Sequence, residues 1–221
     1  MRIHPVKPTL GIRATRPNEI WHMDVTVIRL LNGTKLYLHG IIDNFSRRLL
    51  AWKLADRLSP LTTCEILAEA AKQLPELPTT VTLLTDSGVE NVNETVDEFL
   101  LSGVLRRVLA QVEIVESNSL IESWWRGLKH SYLFINSLDN RVAVERLVSF
   151  YVQQFNEIMP HSALNWRTPD EVYFGRAEDV PVQIEQARRA ARQARMTTNR
   201  ATSCDSCAAN ESSVSALSTA A

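Results

Sequence analysis

Three acidic residues of this chain lie where carboxylate chemistry could take place. Asp24 interrupts the apolar segment 20–29, where aspartate is rare and an unpaired buried carboxylate costs several kcal/mol. Asp86 directly follows a short apolar run, at the end of a predicted strand, where open α/β sheets bind ligands. Glu122 falls in the first turns of a predicted helix. Hard oxygen ligands of this kind suit Mg²⁺ or Mn²⁺.

Such a set of carboxylates would support phosphoryl transfer. Two divalent ions about 3.5–4 Å apart can activate an attacking oxygen and stabilise the leaving oxygen. Few protein carboxylates are needed, because substrate phosphates and water complete each coordination shell. The three acids therefore predict a site for two ions, provided that the fold brings Asp24, Asp86 and Glu122 to one edge of a sheet.

The helix that carries Glu122 also has a polar stripe. Asn118, Glu122, Arg126 and Lys129 follow one another at spacings of four, four and three residues, which places them on one helical face. An acid, an amide and two cations on one face indicate a site for a metal and a phosphate.

Each acid also has a purely structural explanation. Asp24 could have a buried partner or could face water from an edge strand. Asp86 precedes a Ser-Gly pair, and aspartate is common in such turns. Ser119 with Glu122 three residues later fits a capping box, in which the glutamate satisfies an early helix amide. On the residues alone, these alternatives stay open.

The elements that must position these acids follow an α/β order. Alternation and short apolar runs predict the strands, and Asn32-Gly33 predicts a hairpin turn between the first two. The predicted strands are residues 20–29, 34–43, 47–54, 81–84 and 104–115, and the predicted helices are 59–74, 95–102, 119–133, 138–157, a short one from 168, and 182–195. This order predicts an α/β fold with a mixed five-stranded sheet, an antiparallel meander plus parallel strands, flanked by helices.

Changes in composition divide the chain into four segments. The prediction is an extended lead-in at 1–19, a core domain at 20–175, a basic helical extension at 176–195 and a disordered tail at 196–221. The extension carries four closely spaced arginines, which could follow a DNA backbone or form a solvated helix face. They are Arg188, Arg189, Arg192 and Arg195.

Composition sets broad limits on the class of protein. The chain has 221 residues, 45% of them hydrophobic, and a net charge of −1, so nucleic-acid binding is left open without being supported. No apolar run is long enough to cross a membrane and no secretory signal is apparent. Three cysteines build no disulfide framework, and the Cys204–Cys207 pair alone does not predict a zinc site. These features predict a protein of the reducing cytoplasm with no membrane partner.

Several segments together resemble a known family. They are residues 21–26 (Trp-His-Met-Asp-Val-Thr), 43–48 (Asp-Asn-Phe-Ser-Arg-Arg), 85–88 (Thr-Asp-Ser-Gly) and 118–122 (Asn-Ser-Leu-Ile-Glu). The chain is similar here to the catalytic cores of insertion-sequence transposases and retroviral integrases. Thirty-five residues separate Asp86 from Glu122, as in that family, and Lys129 matches its basic position seven residues later. His161–Asn165 and Thr168-Pro169 resemble the end of the bacterial cores.

The resemblance implies an RNase H-like fold and a DDE triad of Asp24, Asp86 and Glu122, which would hold two Mg²⁺ or Mn²⁺ ions. The implied activity is nicking of DNA and joining of strands by direct attack of a 3′-hydroxyl. The implied partners are element ends, target DNA and further copies of the chain, with a separate amino-terminal DNA-reading protein or segment, in a bacterial cytoplasm at the nucleoid. The residues expected to contact DNA are Asn118, Arg126, Lys129 and His161.

Other residues of these segments are expected to be structural. Asp43 and Arg47 are predicted to build a turn and to support strand pairing. Trp124 and Trp125 are adjacent, so only Trp124 is expected in the core, and the other ring is expected to stack or to pack at an assembly interface. For His161, an ordinary loop position is the alternative to DNA contact.

Two other functions fit part of the sequence. No helix-turn-helix pattern precedes the core, so the chain could be a truncated, non-catalytic transposase remnant that binds DNA or multimerises. A ribonuclease H-type enzyme acting on RNA–DNA hybrids would use the same metal chemistry. Nicking of plasmid and preference for hybrid substrate separate these alternatives.

Overall fold

The computed structural model describes residues 13–74, 80–85, 93–101, 105–109 and 119–201. Among the predicted site residues, Asp86 and Asn118 lie outside the described residues, as do Cys204 and Cys207. No helix of the described part is long and apolar enough to cross a membrane.

One mixed sheet forms the centre of the first compact unit. Its strands lie in the order β3-β2-β1-β4-β5. The neighbours β1–β2 and β2–β3 are antiparallel, whereas β1–β4 and β4–β5 are parallel. The strands are β1 (Ile20–Arg29), β2 (Lys35–Asp43), β3 (Leu49–Ala55), β4 (Val81–Thr85) and β5 (Leu105–Leu109). The predicted mixed sheet, a meander joined to parallel strands, is confirmed.

Helices of the first compact unit lie along the sheet as predicted. They are α1 (Pro60–Ala71), α2 (Glu94–Leu101), α3 (Ser119–Ser131), α4 (Arg141–Gln153) and α5 (Pro169–Tyr173). A further helix, α6 (Val180–Ala201), belongs to the second compact unit. Asn140 begins α4 by accepting a hydrogen bond from the amide of Ala143 at 2.9 Å. Thr168 and Glu171 form a capping box that begins α5, so both starts follow ordinary capping chemistry.

The two faces of the sheet pack against different helices. Ile28 and Leu38 belong to an apolar cluster with residues of α3 and α4. Trp21, Met23 and Ile41 belong to a second cluster, with residues of α1. Because successive side chains of a strand point to opposite faces, β1 directs Asp24 to the α3 face and its odd-numbered neighbours to the α1 face.

Both tryptophans of α3 are in the core, and the expectation that only Trp124 would be buried was wrong. Trp124 and Trp125 are 4% and 5% exposed, and their rings meet edge to face with centroids 4.9 Å apart. Trp124 packs against Tyr151 and Phe155 of the following helical segments. Trp125 lies against the backbone of β2 at Gly40. The absence of a side chain there makes room for the second indole.

The predicted structural role of Asp43 is confirmed. Its side chain is fully buried and accepts hydrogen bonds from the Asn18 amide at 2.8 Å and from the Ser46 amide and hydroxyl at 2.7 and 2.6 Å. Burial raises the pKa of Asp43, while these donors act in the opposite direction. Arg47 closes the same turn in a left-handed conformation, donating its amide to the Asp43 carbonyl at 2.9 Å.

Two polar side chains dock the C-terminal part of the core onto the sheet. Asn156, in the π-helical turn (Gln154–Ile158) that follows α4, exchanges two hydrogen bonds of 3.0 Å with the backbone of Leu49 on the edge strand β3. Arg48 forms a 2.6 Å ion pair with Asp170 of α5. The segment after α4 is thereby fixed to the outer side of the meander.

A second compact unit begins at Glu178, and its described part is residues 178–201. Its helix α6 runs to Ala201, past Met196, where the disordered tail was predicted to begin. Thr197 and Thr198 each donate a side-chain hydrogen bond of 3.0 Å to a carbonyl four residues earlier, which lets these polar residues remain helical. The predicted helical extension is therefore longer than its arginine cluster.

Candidate metal and nucleic-acid site

Asp24 is held by a tryptophan of the neighbouring helix. The Nε1–H of Trp125 donates a hydrogen bond of 2.9 Å to Oδ2 of Asp24. This bond explains how an apolar strand can contain Asp24, because a hydrogen-bonded carboxylate costs far less free energy to bury than an unpaired one. It also brings Asp24 to the helix that carries Glu122.

The position of the indole depends on a glycine in the adjacent strand. Gly40 is the cross-strand partner of Asp24 in the β1–β2 register. A Cβ atom at residue 40 would lie 2.7 Å from Cη2 and 3.0 Å from Cζ2 of Trp125, closer than unstrained side chains approach. The absence of a side chain at Gly40 therefore lets the Trp125 ring pack against the β2 backbone, in the position from which its Nε1–H reaches Asp24.

The polar stripe of α3 lies on the same part of the helix as this contact. Glu122 is three residues before Trp125 and Lys129 is four residues after it, so the three share one side of α3. Glu122 and Arg126 are exposed, and Lys129 is partly buried. Burial lowers the pKa of Lys129, and the charge of Asp24 partly offsets that shift. Asp24 and the Lys129 ammonium are thus electrostatic neighbours.

The structure leaves the predicted capping box at Ser119 unformed. Helix α3 begins at Ser119 itself, whereas a capping serine would flank the first helical residue. No hydrogen bond joins Ser119 and Glu122, both of which are described residues. Glu122 therefore has an exposed carboxylate at the start of the helix, available to a ligand.

Asp86, the third predicted acid, lies outside the described residues, but the strand that precedes it is described. Strand β4 ends at Thr85, the covalent neighbour of Asp86, and runs parallel to β1 with His22 opposite Leu84. Within the described ranges, no group of three histidine, cysteine or acidic residues could hold a metal ion. The structure brings Asp24 to the helix of Glu122, and the triad as a whole stays a prediction.

His161 lies in a loop, the position predicted from the sequence as the alternative to DNA contact. Its ring packs on Phe155 with centroids 4.5 Å apart, and its amide donates to the Arg167 carbonyl at 3.0 Å. Burial lowers the pKa of His161. These described contacts are those of a loop-building residue and include none with α3, so its contact with DNA stays a prediction.

Two residues of the site, Trp125 and Gly40, were not expected from the sequence. A signal for each was present. Gly40 stands in the interior of a predicted strand, where glycine often marks a close approach of another group. Trp125 lies one helical turn from Glu122. Because Trp124 was expected to fill the core, no role beside Asp24 was predicted for Trp125.

Family comparisons agree with this architecture. Two models, each described as integrase core domain, match residues 14–112 and 105–169. The insertion element IS136 uncharacterized protein of Agrobacterium fabrum is 27% identical over 184 residues, covering 81% of this chain and 91% of that protein. The transposase for insertion sequence element IS904 of Lactococcus lactis is 26% identical, and the alignment spans 72% of this chain and 62% of the transposase.

Solved structures show the same fold. A chain in the cryo-EM structure of the simian T-cell lymphotropic virus intasome with PP2A regulatory subunit B56 gamma superposes with a TM-score of 0.63 at 21% identity, covering 74% of this chain and 56% of that one. The HTLV-2 integrase catalytic core domain in complex with magnesium gives 0.58 at 20% identity, covering 73% and 99%. The predicted RNase H-like α/β fold is confirmed. Together the two integrase core domain models match residues 14–169, the part of the chain that contains the sheet and the helices packed on it.

Proposed function

We propose that this chain is a catalytic core that cuts and joins DNA strands by metal-dependent phosphoryl transfer in transposition. The observation that carries the proposal is the Trp125–Asp24 hydrogen bond of 2.9 Å. It fixes a strand carboxylate beside the helix that bears Glu122 and Lys129. An acid in mid-strand, held beside a helix that carries an acid and a cation, suits a site for a metal-bound phosphate.

The residues present fit a divalent cation. Asp24 and Glu122 offer only carboxylate oxygens, the donors that Mg²⁺ and Mn²⁺ prefer, and Asp86 would add a third carboxylate. The magnesium in the HTLV-2 core structure supports the same choice. When bound, two such ions would supply Lewis-acid stabilisation of phosphate oxygens.

The chain's own residues would bind and orient the DNA. Lys129, close to Asp24, would neutralise a phosphate next to the carboxylates as a point charge. Arg126 is exposed one turn away and would contact the backbone of the same strand. The Trp125 indole would keep Asp24 in one orientation while the substrate enters.

The biological substrate would be an element end and a target DNA. The chain spans 62% of the IS904 transposase and 56% of the IS150 transposase InsK of Escherichia coli that it matches. Sequence-specific recognition of element ends requires base contacts, which we assign to a separate segment or partner. Assembly of several copies on DNA in the bacterial nucleoid belongs to the same proposal.

Plasmid nicking and oligonucleotide strand transfer in Mg²⁺ or Mn²⁺ test this function with the full chain. Asp24→Asn, Asp86→Asn and Glu122→Gln should each abolish both activities while circular dichroism stays unchanged. Glu145→Gln, an exposed acid of α4, is the matched control and should retain activity. Full activity in any triad variant would exclude that residue from the site.

The same assay separates the competing functions. A truncated remnant would bind plasmid and leave it uncut under every metal condition. A ribonuclease H-type enzyme would cleave RNA–DNA hybrid in preference to duplex DNA. No described contact favours either alternative over strand transfer.

A further inference from the structure

A second cleft lies at the far end of the β1–β2 hairpin. It has a volume of about 320 Å³ and is lined by Val27, Arg29, Lys35, Tyr37 and Phe134. Strand alternation points Val27 and Arg29 to the face of β1 opposite Asp24. Neither Asp24 nor Glu122 lines the cleft, although its Phe134 ring packs on His130 of α3.

The charged side chains that line this cleft are both positive. Arg29 and Lys35 are directly opposite each other in the β1–β2 register, an arrangement in which like charges repel. Neither cation forms an ion pair with any described residue. No acidic residue occurs in the sequence between Asp24 and Asp43, so the part of the hairpin between those two residues supplies no counter-charge. An anion bound between the two side chains would relieve the repulsion.

Two aromatic side chains, Tyr37 and Phe134, line the cleft together with the two cations. The Phe134 ring is 53% exposed, although it is large and apolar. His130 packs edge to face against it with centroids 5.3 Å apart and an interplanar angle of 88°, which orients the ring. Tyr37 lies next to Lys35 in the cleft wall. Oriented aromatic faces beside cations are the usual platform for single-stranded nucleic acid.

We propose that this cleft binds an unpaired DNA strand outside the reacting position, with phosphates on Arg29 and Lys35 and a base against Phe134. The choice of DNA as the ligand rests on the proposed function. Arg29 is five residues beyond Asp24 along β1, about 17 Å at the usual rise of a strand. That separation equals about five nucleotide steps of duplex, so one DNA molecule could reach both sites.

Binding of a labelled single-stranded oligonucleotide to the full chain, measured over a range of salt concentrations, tests the cleft. The double variant Arg29→Gln/Lys35→Gln should raise Kd about tenfold and lower the slope of log Kd against log salt by about 1.4, since each lost phosphate contact removes about 0.7. Phe134→Ala should weaken binding at least about fivefold without changing the slope. Circular dichroism checks that each variant is folded.

The matched control is Arg57→Gln/Arg146→Gln, which removes the same charge from two exposed positions elsewhere in the core. This control should bind with a Kd within about twofold of the parent's. An unchanged Kd and slope in Arg29→Gln/Lys35→Gln would overturn the proposal, and so would an equal loss in the control. Displacement of the oligonucleotide by polyglutamate at the same charge concentration would also overturn it, because the cleft would then recognise charge alone.

Failure of this inference is distinguishable from failure of the proposed function. The residues altered in the cleft are none of the proposed metal ligands, so their effect on oligonucleotide binding can be measured whether or not the chain nicks plasmid. If the parent fails to nick plasmid but the cleft variants lose binding, the cleft stands without the catalytic proposal. If the parent nicks plasmid and the cleft variants bind normally, the cleft proposal alone falls.

Discussion

At the scale of single residues, the Trp125–Asp24 pair carries the most information about the site. A fixed donor on a metal-ligating carboxylate restricts its orientation, as outer-shell partners do in metal sites generally. Trp124 supplies a natural comparison. It is equally buried, on the same helix, and its Nε1 has no hydrogen-bond partner among the described residues.

Trp125→Phe should therefore impair the site more than Trp124→Phe. Both changes remove a buried indole and leave a ring, but only the first removes the bond to Asp24. On the proposed function, we expect Trp125→Phe to raise the Mn²⁺ concentration for half-maximal nicking by about 10–100-fold, and Trp124→Phe to leave it near the parent value. Equal shifts in the two variants, or a loss that follows thermal stability alone, would contradict a positioning role.

His39 gives a second prediction at this scale, independent of catalysis. It is fully buried on β2, and neither ring nitrogen has a hydrogen-bond partner among the described residues. Burial, with a smaller effect of Lys53, lowers its pKa from 6.5 to about 4. The unfolded chain therefore takes up a proton below about pH 6.5, whereas the folded chain stays neutral there until about pH 4.

Neutral His39 therefore does not reduce the free energy of unfolding above pH 6.5. As the pH falls from 6.5 toward 4, protonation of this histidine in the unfolded chain lowers that free energy. The slope is about 1.4 kcal/mol per pH unit, with a total near 3 kcal/mol. Urea unfolding between pH 4.5 and 7.5 should show this loss in the parent and a smaller one in His39→Leu. His130→Gln, at an exposed histidine, should keep the parent slope. Parallel pH curves for the parent and His39→Leu would refute the assignment.

At the scale of elements, the sequence predicted strand and helix types well because their patterns are local. The β1–β2 hairpin follows from alternation around Asn32-Gly33, and Gly33 does adopt a positive φ of 86°. Boundaries were less predictable where tertiary contacts decide them. The predicted helix 138–157 is in fact α4 followed by a π-helical turn, because Asn156 must face Leu49 to satisfy the backbone of an edge strand.

Contacts across the fold could not be predicted from spacing. Asp24 and Trp125 are far apart in sequence, and nothing local indicates that an indole would supply the partner that Asp24 needed. The same holds for the burial of both tryptophans, which depends on the missing side chain at Gly40 in another strand. Residue types thus suggested the chemistry that we propose for the site, whereas the groups that position Asp24 could be identified only from the fold.

Asn156 provides a prediction at the element scale. Asn156→Leu keeps the approximate size of the side chain but leaves the amide and carbonyl of Leu49 without their partner, at about 1–3 kcal/mol for each group. We expect a loss of about 3 kcal/mol in the free energy of unfolding, measured by urea titration. Glu157→Ala, at the next and exposed residue, should change it by less than about 0.5 kcal/mol. Similar losses in both variants would show that the π-helical turn, not the Asn156 bonds, sets the stability.

At the scale of the whole molecule, the proposed function links metal binding to folding. The net charge of −1 hides an uneven distribution. The outer part of the β1–β2 hairpin, residues 25–42, carries cations without acids, whereas Asp24 lies nearer the start of β1 and Glu122 lies on α3. Carboxylates gathered for a cation repel one another when no cation is present. A divalent ion that binds only the folded chain must therefore stabilise it, by an amount that grows with the logarithm of the ion concentration above Kd.

Thermal unfolding with increasing Mn²⁺ measures this linkage without DNA or turnover. At ten times Kd, the ion should stabilise the folded chain by about 1.4 kcal/mol, seen as a rise in Tm that Asp24→Asn and Glu122→Gln abolish. Glu145→Gln should show the parent's rise, because its carboxylate is on α4. A Tm rise that survives both site variants would mean that Mn²⁺ binds elsewhere. A parent Tm that does not respond to Mn²⁺ would mean that these carboxylates need DNA phosphates before they hold the ion.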